Sequence, residues 1–536
     1  MSILQAIIIA ILYFLANGTI IGVGFFTLYR PLVMGFATGL ILGDPVTGTI
    51  IGASINLIYI GHISAGGSLP GDPALAGIVG ASLGITAGLD VNATLPIATS
   101  VGILGSLLWF GRLTLNSFFV RLADKYAAEG NASSWWVVNV GIPQALLFLI
   151  TAVPGFVIVY FGANYIQGVL DFLGQHVLTA LIVVGGMLPA LGLALTLKFI
   201  FEGEARIYFL LGFLLVVFFE LDMIGVGLFA AIIAIAYLQF KNSGIPDEES
   251  TGTISASSED AIGVGGLSNS TLFRSYINWT FHAQGVYNYE RMMGIGFAHS
   301  MVPAFREWYE EGSPEMAEAL QRHTIFYNTS PQFGTIINGL VLAMEEQIYH
   351  DSEEITGESI NAVKTSLMGP LSGIGDTLTQ GVIVPLLLSF FIGMSLEGNL
   401  LGPILYSVSV VALIWGFAWW FFKLGYERGN EAIVNLLESG YINRLIAAAK
   451  VMGAIVIGAL VASFVYLNIG ISIPIGDGSS FVLQEQLFDA ILPQLLPLLL
   501  TLGCYYLLEK GMSSSRVMFL LFVVGTLGGY FGIFVP

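Results

Sequence analysis

The sequence predicts an all-α protein that crosses a membrane several times. Of its 536 residues, 55% are hydrophobic and only 10% are charged, and the mean hydropathy is +0.83. Soluble proteins carry roughly 25% charged residues. Apolar runs of roughly 20 residues recur along the chain, and each is long enough to cross the ~30 Å hydrocarbon core of a bilayer.

The apolar runs are continuous and do not alternate with polar residues, which favours membrane helices over the strands of a membrane barrel. The first run, "ILQAIIIAILYFLANGTIIGVGFF", has no basic segment before it and no cleavage site of small residues. We therefore expect a retained helix and not a signal peptide. Two later spans are "GPILYSVSVVALIWGFAWWFF" and "VMFLLFVVGTLGGYFGIFV".

One stretch divides the chain into two parts. Residues 241–270, "KNSGIPDEESTGTISASSEDAIGVGGLSNS", are rich in serine, glycine and acidic residues and contain few large apolar ones. This composition predicts a flexible acidic linker. Because it follows a complete set of spans and precedes a region of different character, we predict two membrane modules, residues 1–240 and 271–536.

The two modules differ in composition. In the first, "GFATGLILG" and "GIVGASLGITAG" repeat glycine at every fourth position, which lets helix backbones approach closely in a membrane. In the second, residues 271–360 mix charged and apolar residues in the pattern of amphipathic helices. We expect that region at a membrane surface or inside a protein core. From residue 366 onward the chain is apolar again, with about five spans or half-spans.

Charge restricts the class of partner. The formal net charge is −18, which argues against nucleic acid. Arg112, Arg121 and Lys125 cluster in what we expect to be one loop, while Lys241 and Arg274 flank the linker. Because basic residues favour the cytoplasmic side of a membrane, we expect the linker there. The single cysteine excludes an internal disulfide.

Polar residues between apolar helices are functional candidates, because they are costly at membrane depth. In the first module, "INLIYIGHISAGGSLPGDPALAG" carries four of them, Asn56, His62, Ser68 and Asp72. Interrupted helices of this kind line cavities in transporters. The alternative is an interfacial loop with a capping aspartate.

The second module carries a further set of carboxylates and amides. The candidates are Asn288, Glu290, Asn328, Glu345, Asp376 and Gln380. Such groups, beside apolar or aromatic surface, are what a neutral sugar requires. The alternatives are an ion pair between Glu290 and Arg291 and a solvated helix end at Glu345.

The stretch "MGPLSGIGDTLTQG", residues 368–381, contains four glycines and a proline beside an apolar run. We predict a break between two half-helices here, with Asp376 facing a cavity as a hydroxyl acceptor. The sequence contains no H-E-x-x-H, C-x-x-C or P-loop motif, so we predict no catalytic residue, metal ligand or cofactor.

These motifs together resemble one family. "YRPLVMGFATGLILGDPVTGTIIGASINLIYIG", with the later "GDPALA", resembles the IIC membrane component of the mannose-family (mannose/fructose/sorbose) phosphotransferase system. Residues 271–536 resemble the IID component almost end to end, through "NYERMMGIGFAHSMVPAF", "RHTIFYNTSPQF" and "LMGPLSGIGDTLTQG". The two components are usually separate proteins, whereas here they share one chain.

The resemblance implies a multi-pass permease of the bacterial cytoplasmic membrane, assembled as a homotrimer. It would translocate a hexose or amino sugar (mannose, fructose, sorbose or an amino sugar) while separate IIA and IIB proteins phosphorylate it, so the chain itself would not be an enzyme. In this family a substrate-holding part is thought to move against a scaffold. The alternative function is an ion-coupled secondary sugar transporter, for which Asp72 and Asp376 would be the titratable groups.

Overall fold

The computed structural model describes residues 1–20, 24–61, 71–201, 203, 205–242, 266–350, 355–438, 441–476 and 479–535. The helices of the first half are α1 (Ile3–Asn17), α2 (Pro31–Leu42), α3 (Pro45–Tyr59), α4 (Pro73–Ala87), α5 (Val91–Asn116), α6 (Val120–Ala128), α7 (Ile142–Met187), α8 (Pro189–Ile200), α9 (Ala205–Phe219) and α10 (Met223–Asn242). Most of the predicted linker lies outside the described residues.

The second half is also mainly helical. Its helices are α11 (Asn269–His282), α12 (Gly294–Trp308), α13 (Pro314–His323), α14 (Thr335–Tyr349), α15 (Gly357–Leu378), α16 (Val384–Leu396), α17 (Leu401–Glu438), α18 (Tyr441–Phe464), α19 (Asp489–Ile491), α20 (Leu495–Glu509) and α21 (Ser514–Tyr530). Four short strands, β1 (Asn468–Ile469), β2 (Ser472–Gly476), β3 (Ser479–Val482) and β4 (Phe534–Val535), form two antiparallel pairs, β1 with β4 and β2 with β3.

The described residues contain seven helical segments that are long and apolar enough to cross a membrane. A bent pair, Gln484–Ile491 with Leu495–Glu509, adds an eighth if it forms one span. The prediction of an all-α, multi-pass membrane protein is therefore confirmed. Helices α12 and α14, within the predicted amphipathic region, are mostly buried inside a protein core.

The glycines of the first half bring helices α2 and α3 into backbone contact. A Cβ atom added to Gly35 would lie 2.5 Å from the carbonyl oxygen of Gly48. Gly43 ends α2 in the left-handed conformation, with φ of 88°, and Asp44 then caps α3 by accepting from the Thr47 N–H at 3.0 Å. The glycine spacing therefore produces a tight pair of short helices joined by a sharp turn.

The predicted break within residues 368–381 is wrong, because the backbone stays helical there. Helix α15 continues through Pro370 to Leu378, and a π-turn over Thr379–Ile383 leads directly into α16. A membrane helix tolerates proline because nearby groups satisfy the freed carbonyl. A π-turn is a local bulge that often occurs at functional sites.

Among the described residues, two large hydrophobic cores hold the fold together, and each contains residues from both sequence halves. One combines α1, α4 and α6 with α11–α15. The other combines α3 and α8–α10 with α16, α18, α20 and α21. In the second core α18 packs against α9 and α10, and α21 packs against α7. The two halves are therefore interleaved in space.

Candidate functional site

A cavity lies where the two sequence halves meet. The first half contributes the end of α1, the loop before α2 and a face of α5 to its wall. The second half contributes the loops that follow α11 and α13, the carboxyl end of α15 and the π-turn after it. The polar residues lining the cavity include Asn17, Thr19, Arg112, Gln284, Asn328, Thr329, Gln332, Ser372, Asp376 and Gln380.

One carboxylate faces this cavity. Asp376 is half-buried on α15, and its Oδ1 accepts a hydrogen bond of 3.4 Å from the Gln380 side chain one turn later. Ser372 lies one turn earlier and also lines the cavity. Residues at i, i+4 and i+8 share one helix face, so α15 presents a continuous polar stripe to the cavity.

Two hydroxyl groups on the cavity wall are available for a ligand. The side-chain oxygens of Thr19 and Thr329 are buried, and neither meets a hydrogen-bond partner within the described part of the chain. Buried hydroxyls are normally hydrogen-bonded. A polyhydroxylated ligand in the cavity would satisfy both.

Aromatic rings cover part of the wall. Phe25 and Tyr29 stack with their ring centroids 5.2 Å apart, and Trp109 lies 6.1 Å from Tyr287 across the two halves. All four residues line the cavity. Aromatic faces offer the apolar surface that a ring with polar edges and less polar faces requires.

Arg112 was expected in a loop, and this expectation is wrong. It lies in α5, 5% exposed, with its guanidinium 5.5 Å from the Trp109 ring. It donates to the Asn17 carbonyl at 3.1 Å and to the Gln284 carbonyl at 2.7 Å. The signal for it was a lone arginine inside the apolar run "GILGSLLWFGRLTLN", since such residues rarely face lipid.

Side chains of the first half fix one wall that belongs to the second. Arg112 binds the carbonyl of Gln284, Asn116 donates to the carbonyl of Tyr287 at 2.9 Å, and Asn139 donates to that of His282 at 2.9 Å. Charged and amide donors thus satisfy three carbonyls at the end of α11 and in the loop that follows it. The cavity therefore depends on both halves for its shape.

Three of the predicted site residues line the cavity. They are Asp376 on α15, Gln380 in the π-turn that follows it, and Asn328 on the opposite loop. Asn328 accepts a hydrogen bond of 3.2 Å from the Tyr287 hydroxyl through its Oδ1. These side chains supply the carboxylate and amides that the sequence pattern predicted.

Asp72 and Asn56 are buried, but neither of them lines this cavity. Their predicted role in sugar binding stays a prediction. Asp72 caps α4 by accepting from the Leu75 N–H at 2.9 Å, and it also accepts from the Tyr13 hydroxyl at 2.5 Å. Asn56 accepts from the Leu32 N–H at 3.1 Å. A short polar side chain at a helix start satisfies free N–H groups, which is the alternative noted above for Asp72. His62 and Ser68 lie outside the described residues.

Asn288 and Glu290 also lie away from the cavity. The buried Asn288 side chain accepts from the N–H groups of Glu290 at 3.0 Å and Arg291 at 2.9 Å, which forms a local turn. Glu290 is exposed and lies 3.6 Å from the Arg291 guanidinium. Both residues therefore have a local structural role, as the ion-pair alternative expected for Glu290.

Glu345 belongs to a closed cluster of charged side chains. It is fully buried, and it accepts from Arg322 at 2.6 Å and from His323 at 2.9 Å. Burial, and then the nearby Lys364 ammonium, lower the pKa of His323 to about 4. Burial alone would raise the pKa of Glu345, but His323 and Arg322 bring it below its ordinary value. Glu345 is thus fully engaged and is neither a cavity residue nor a solvated helix end.

The direction of the hydrogen bonds in this cluster follows from these protonation states. His323 is neutral near pH 7, so its Nε2–H donates to Glu345 and its Nδ1 accepts from Lys364 at 3.3 Å. The Lys364 ammonium also lies 4.5 Å from the centre of the Phe297 ring. Within the described residues, no group of three His, Cys, Asp or Glu side chains is placed to hold a metal ion.

Comparison with known proteins identifies the family. Residues 3–236 match the family described as "PTS system sorbose-specific iic component", and residues 266–534 match "PTS system mannose/fructose/sorbose family IID component". The chain belongs to this family of phosphotransferase-system permease components. It contains an IIC component and an IID component in one polypeptide.

Similar proteins match each half separately. The mannose-specific EIID component of Escherichia coli strain K12 is 36% identical over 249 residues, which is 46% of this chain and 87% of that protein. The fructose permease IID component of Bacillus subtilis is 34% identical, covering 50% of this chain and 97% of that protein. The mannose-specific EIIC component of E. coli strain K12 is 29% identical, covering 40% and 80%.

Among solved structures, one described as the cryo-EM structure of the mannose transporter ManYZ in complex with microcin E492 is similar. A chain of that structure is 33% identical, with 50% of this chain and 98% of that chain covered and a TM-score of 0.30. Permeases of this family transport sugar coupled to its phosphorylation by partner proteins. Membership therefore does not favour the ion-coupled alternative.

Proposed function

We propose that the cavity between the two halves is the sugar-binding site of this permease. The observation that carries this proposal is the combination on its wall of one carboxylate, several amides, two unbonded hydroxyls and six aromatic residues.

Each wall has a different part in binding. Asp376 accepts hydrogen bonds from sugar hydroxyls, and Gln380 and Asn328 can donate and accept. Trp109 and Tyr29 cover the less polar faces of the ring. Mannose, fructose, sorbose and amino sugars all fit this chemistry, since a carboxylate also accepts from an ammonium group.

The chain supplies binding and passage, and the phosphoryl group comes from a phosphorylated IIB partner. The absence of a P-loop or comparable motif from the sequence supports this division of labour. The two family matches support residues 1–240 as an IIC-like module and residues 271–536 as an IID-like module. The protein then works in the bacterial cytoplasmic membrane, as a homotrimer.

Asp376→Asn tests the proposal, because it keeps the shape of the side chain and removes its charge. A hydrogen bond to a charged group contributes about 1.5–3 kcal/mol, and 1.4 kcal/mol corresponds to about a tenfold change in affinity. We therefore expect sugar affinity to fall by about 10- to 100-fold. Calorimetric titration of the purified protein with mannose, fructose, sorbose and glucosamine measures this.

Asp44→Asn is the matched control, since asparagine caps a helix as well as aspartate and Asp44 does not line the cavity. Unchanged affinity of Asp376→Asn for every sugar that the original protein binds would contradict the proposal. Uptake by cells that lack the IIB partner distinguishes the mechanisms, because full sugar accumulation there would support ion coupling instead.

A further inference from the structure

The exposed face of α15 differs from the exposed faces of the other spans. Within the described residues from 355 to 400, no large hydrophobic side chain is exposed. The residues exposed along α15 are small or polar, namely Glu358, Ala362, Thr365, Ser366, Gly369, Pro370, Gly373 and Thr377. Such a face presents no large exposed apolar side chain to lipid tails.

Other spans show what a lipid-facing surface looks like in this protein. On α10, Leu228 is 60% exposed and Ile232 is 65% exposed. On α17, Val408 is 62% exposed, and Leu413 and Phe417 are exposed as well. Backbone and polar groups are rare on lipid-facing surfaces because each unsatisfied group costs several kcal/mol. The exposed face of α15 is therefore expected to meet water or protein.

The length of this helix connects the face with water. The helical run from Gly357 to Leu396 has 40 residues, which makes it about 60 Å long at 1.5 Å per residue. A bilayer's hydrocarbon core is only ~30 Å thick. Since α16 packs inside the apolar second core, the end that extends beyond the hydrocarbon is the beginning of α15. Gly357 there lies against the Arg322 side chain.

The same helix reaches the cavity at its other end. Asp376, which lines the cavity, lies between exposed Gly373 and exposed Thr377 on α15. Opposite this point, the hydroxyl of Thr329 is buried, 3% exposed, and meets no partner in the described part of the chain. Small and polar residues thus line one face of α15 from its water-facing end to the cavity, where the Thr329 hydroxyl can bind a ligand.

We propose that the face of α15 from Thr365 to Thr377 is a water-filled route along which sugar passes between the cavity and the side of the membrane where α15 begins. The inference rests on the proposed function of the cavity. Glycine keeps the route wide, because a Cβ added to Gly369 or Gly373 would meet no heavy atom within 4 Å. The hydroxyls of Thr365 and Ser366 donate to the carbonyls of Asn361 at 2.8 Å and Val363 at 3.1 Å, and their oxygen lone pairs can accept from water on the route.

Cysteine labelling tests the route, and the chain suits it. The single cysteine, Cys504, is 2% exposed and is first replaced by alanine. Gly369→Cys and Gly373→Cys then place one thiol each on the route without a clash. Gly416→Cys is the matched control, because this exposed glycine of α17 also has open space around it but lies beside lipid-facing Phe417.

The probe is a charged, membrane-impermeant methanethiosulfonate reagent, applied to variants in nanodiscs that still bind sugar. A thiol in water ionises and reacts, whereas an apolar environment suppresses its thiolate, so we expect labelling about tenfold faster or more at both route positions than at the control. Mannose, fructose, sorbose or glucosamine, whichever the protein binds, should slow labelling at Gly373→Cys. Labelling there should also block uptake in membrane vesicles.

Three results would overturn the route. Labelling no faster than at Gly416→Cys means that the face meets lipid, and disulfide-linked dimers of Gly373→Cys without labelling mean that another copy covers it. If either occurs while Asp376→Asn still weakens sugar binding, only the route fails. Rapid labelling without protection by any sugar, together with normal binding by Asp376→Asn, removes the cavity assignment and the route with it.

Discussion

The buried charge cluster predicts a large loss of stability when Glu345 is neutralised. Glu345→Gln keeps the size of the side chain but removes the carboxylate. In the folded protein both oxygens of this carboxylate accept from the Arg322 Nη1 at 2.6 Å. Lys364, 1% exposed, also depends electrostatically on this carboxylate. The change therefore removes the anion that faces the buried Lys364 and leaves Arg322 paired with the exposed Glu318, 2.9 Å away.

The magnitude follows from the burial of these groups. Removing one partner from a buried ion pair typically costs about 3–5 kcal/mol, because the remaining charge stays desolvated. In a long chain each kcal/mol lowers the melting temperature by about 2 °C, so we expect a decrease of about 6–10 °C. Glu345 is fully buried, so solvent does not screen this effect.

The assay is thermal unfolding of the purified protein in detergent, followed by intrinsic fluorescence and by the size-exclusion profile. Glu290→Gln is the control, since Glu290 is exposed and its contact with Arg291 is 3.6 Å long. Exposed pairs contribute about 0–1 kcal/mol, so this variant should melt within about 2 °C of the original. A similarly small shift for Glu345→Gln would refute the reasoning about the cluster.

Two further predictions concern stability. The pKa of His323 is about 4 in the folded protein and about 6.5 in the unfolded chain. Between these two pKa values the unfolded chain binds more protons than the folded protein. The free energy of unfolding should therefore fall by about 2 kcal/mol from pH 7 to pH 5. His323→Gln should reduce this dependence in melts recorded across that range, and an unchanged slope would contradict it. Gly48→Val should lower the yield of folded protein, because its Cβ would lie 2.5 Å from the Gly35 carbonyl oxygen and such overpacking costs about 1–3 kcal/mol. Gly416→Val, which has open space, should express normally, and equal yields of the two variants would count against the tight helix pair.

The spans were predictable from sequence because long apolar runs have few alternatives to helices in a membrane. The cavity face of α15 was partly predictable too, since Asp376 and Gln380 are spaced by one helical turn. The predicted helix break near Pro370 failed because losing one N–H leaves the rest of the hydrogen-bond ladder intact.

Two of the predicted site residues lie outside the cavity, for different physical reasons. Asp72 caps α4 and does not line the cavity. The sequence could not separate these two roles, because a helix start and a binding site both select a short polar side chain. Glu345 was expected to contact sugar, but its partners come from α13 and α15 and are brought to it only by tertiary packing. Arg112 was not predicted as a cavity residue, because its partners are the backbone carbonyls of Asn17 and Gln284, which the sequence does not reveal.

The interleaving of the halves constrains how the cavity can open. If the IIC and IID parts moved apart as units, α18 would leave α9 and α10, and α21 would leave α7, which would expose apolar faces of one core. A movement between the two cores would keep these contacts, but it would have to bend α5, α7 and α17, because each of these helices contributes buried residues to both cores. Phe25 lines the cavity and packs against both cores. The cavity therefore cannot open along the boundary between the sequence halves without exposing apolar faces that are now buried.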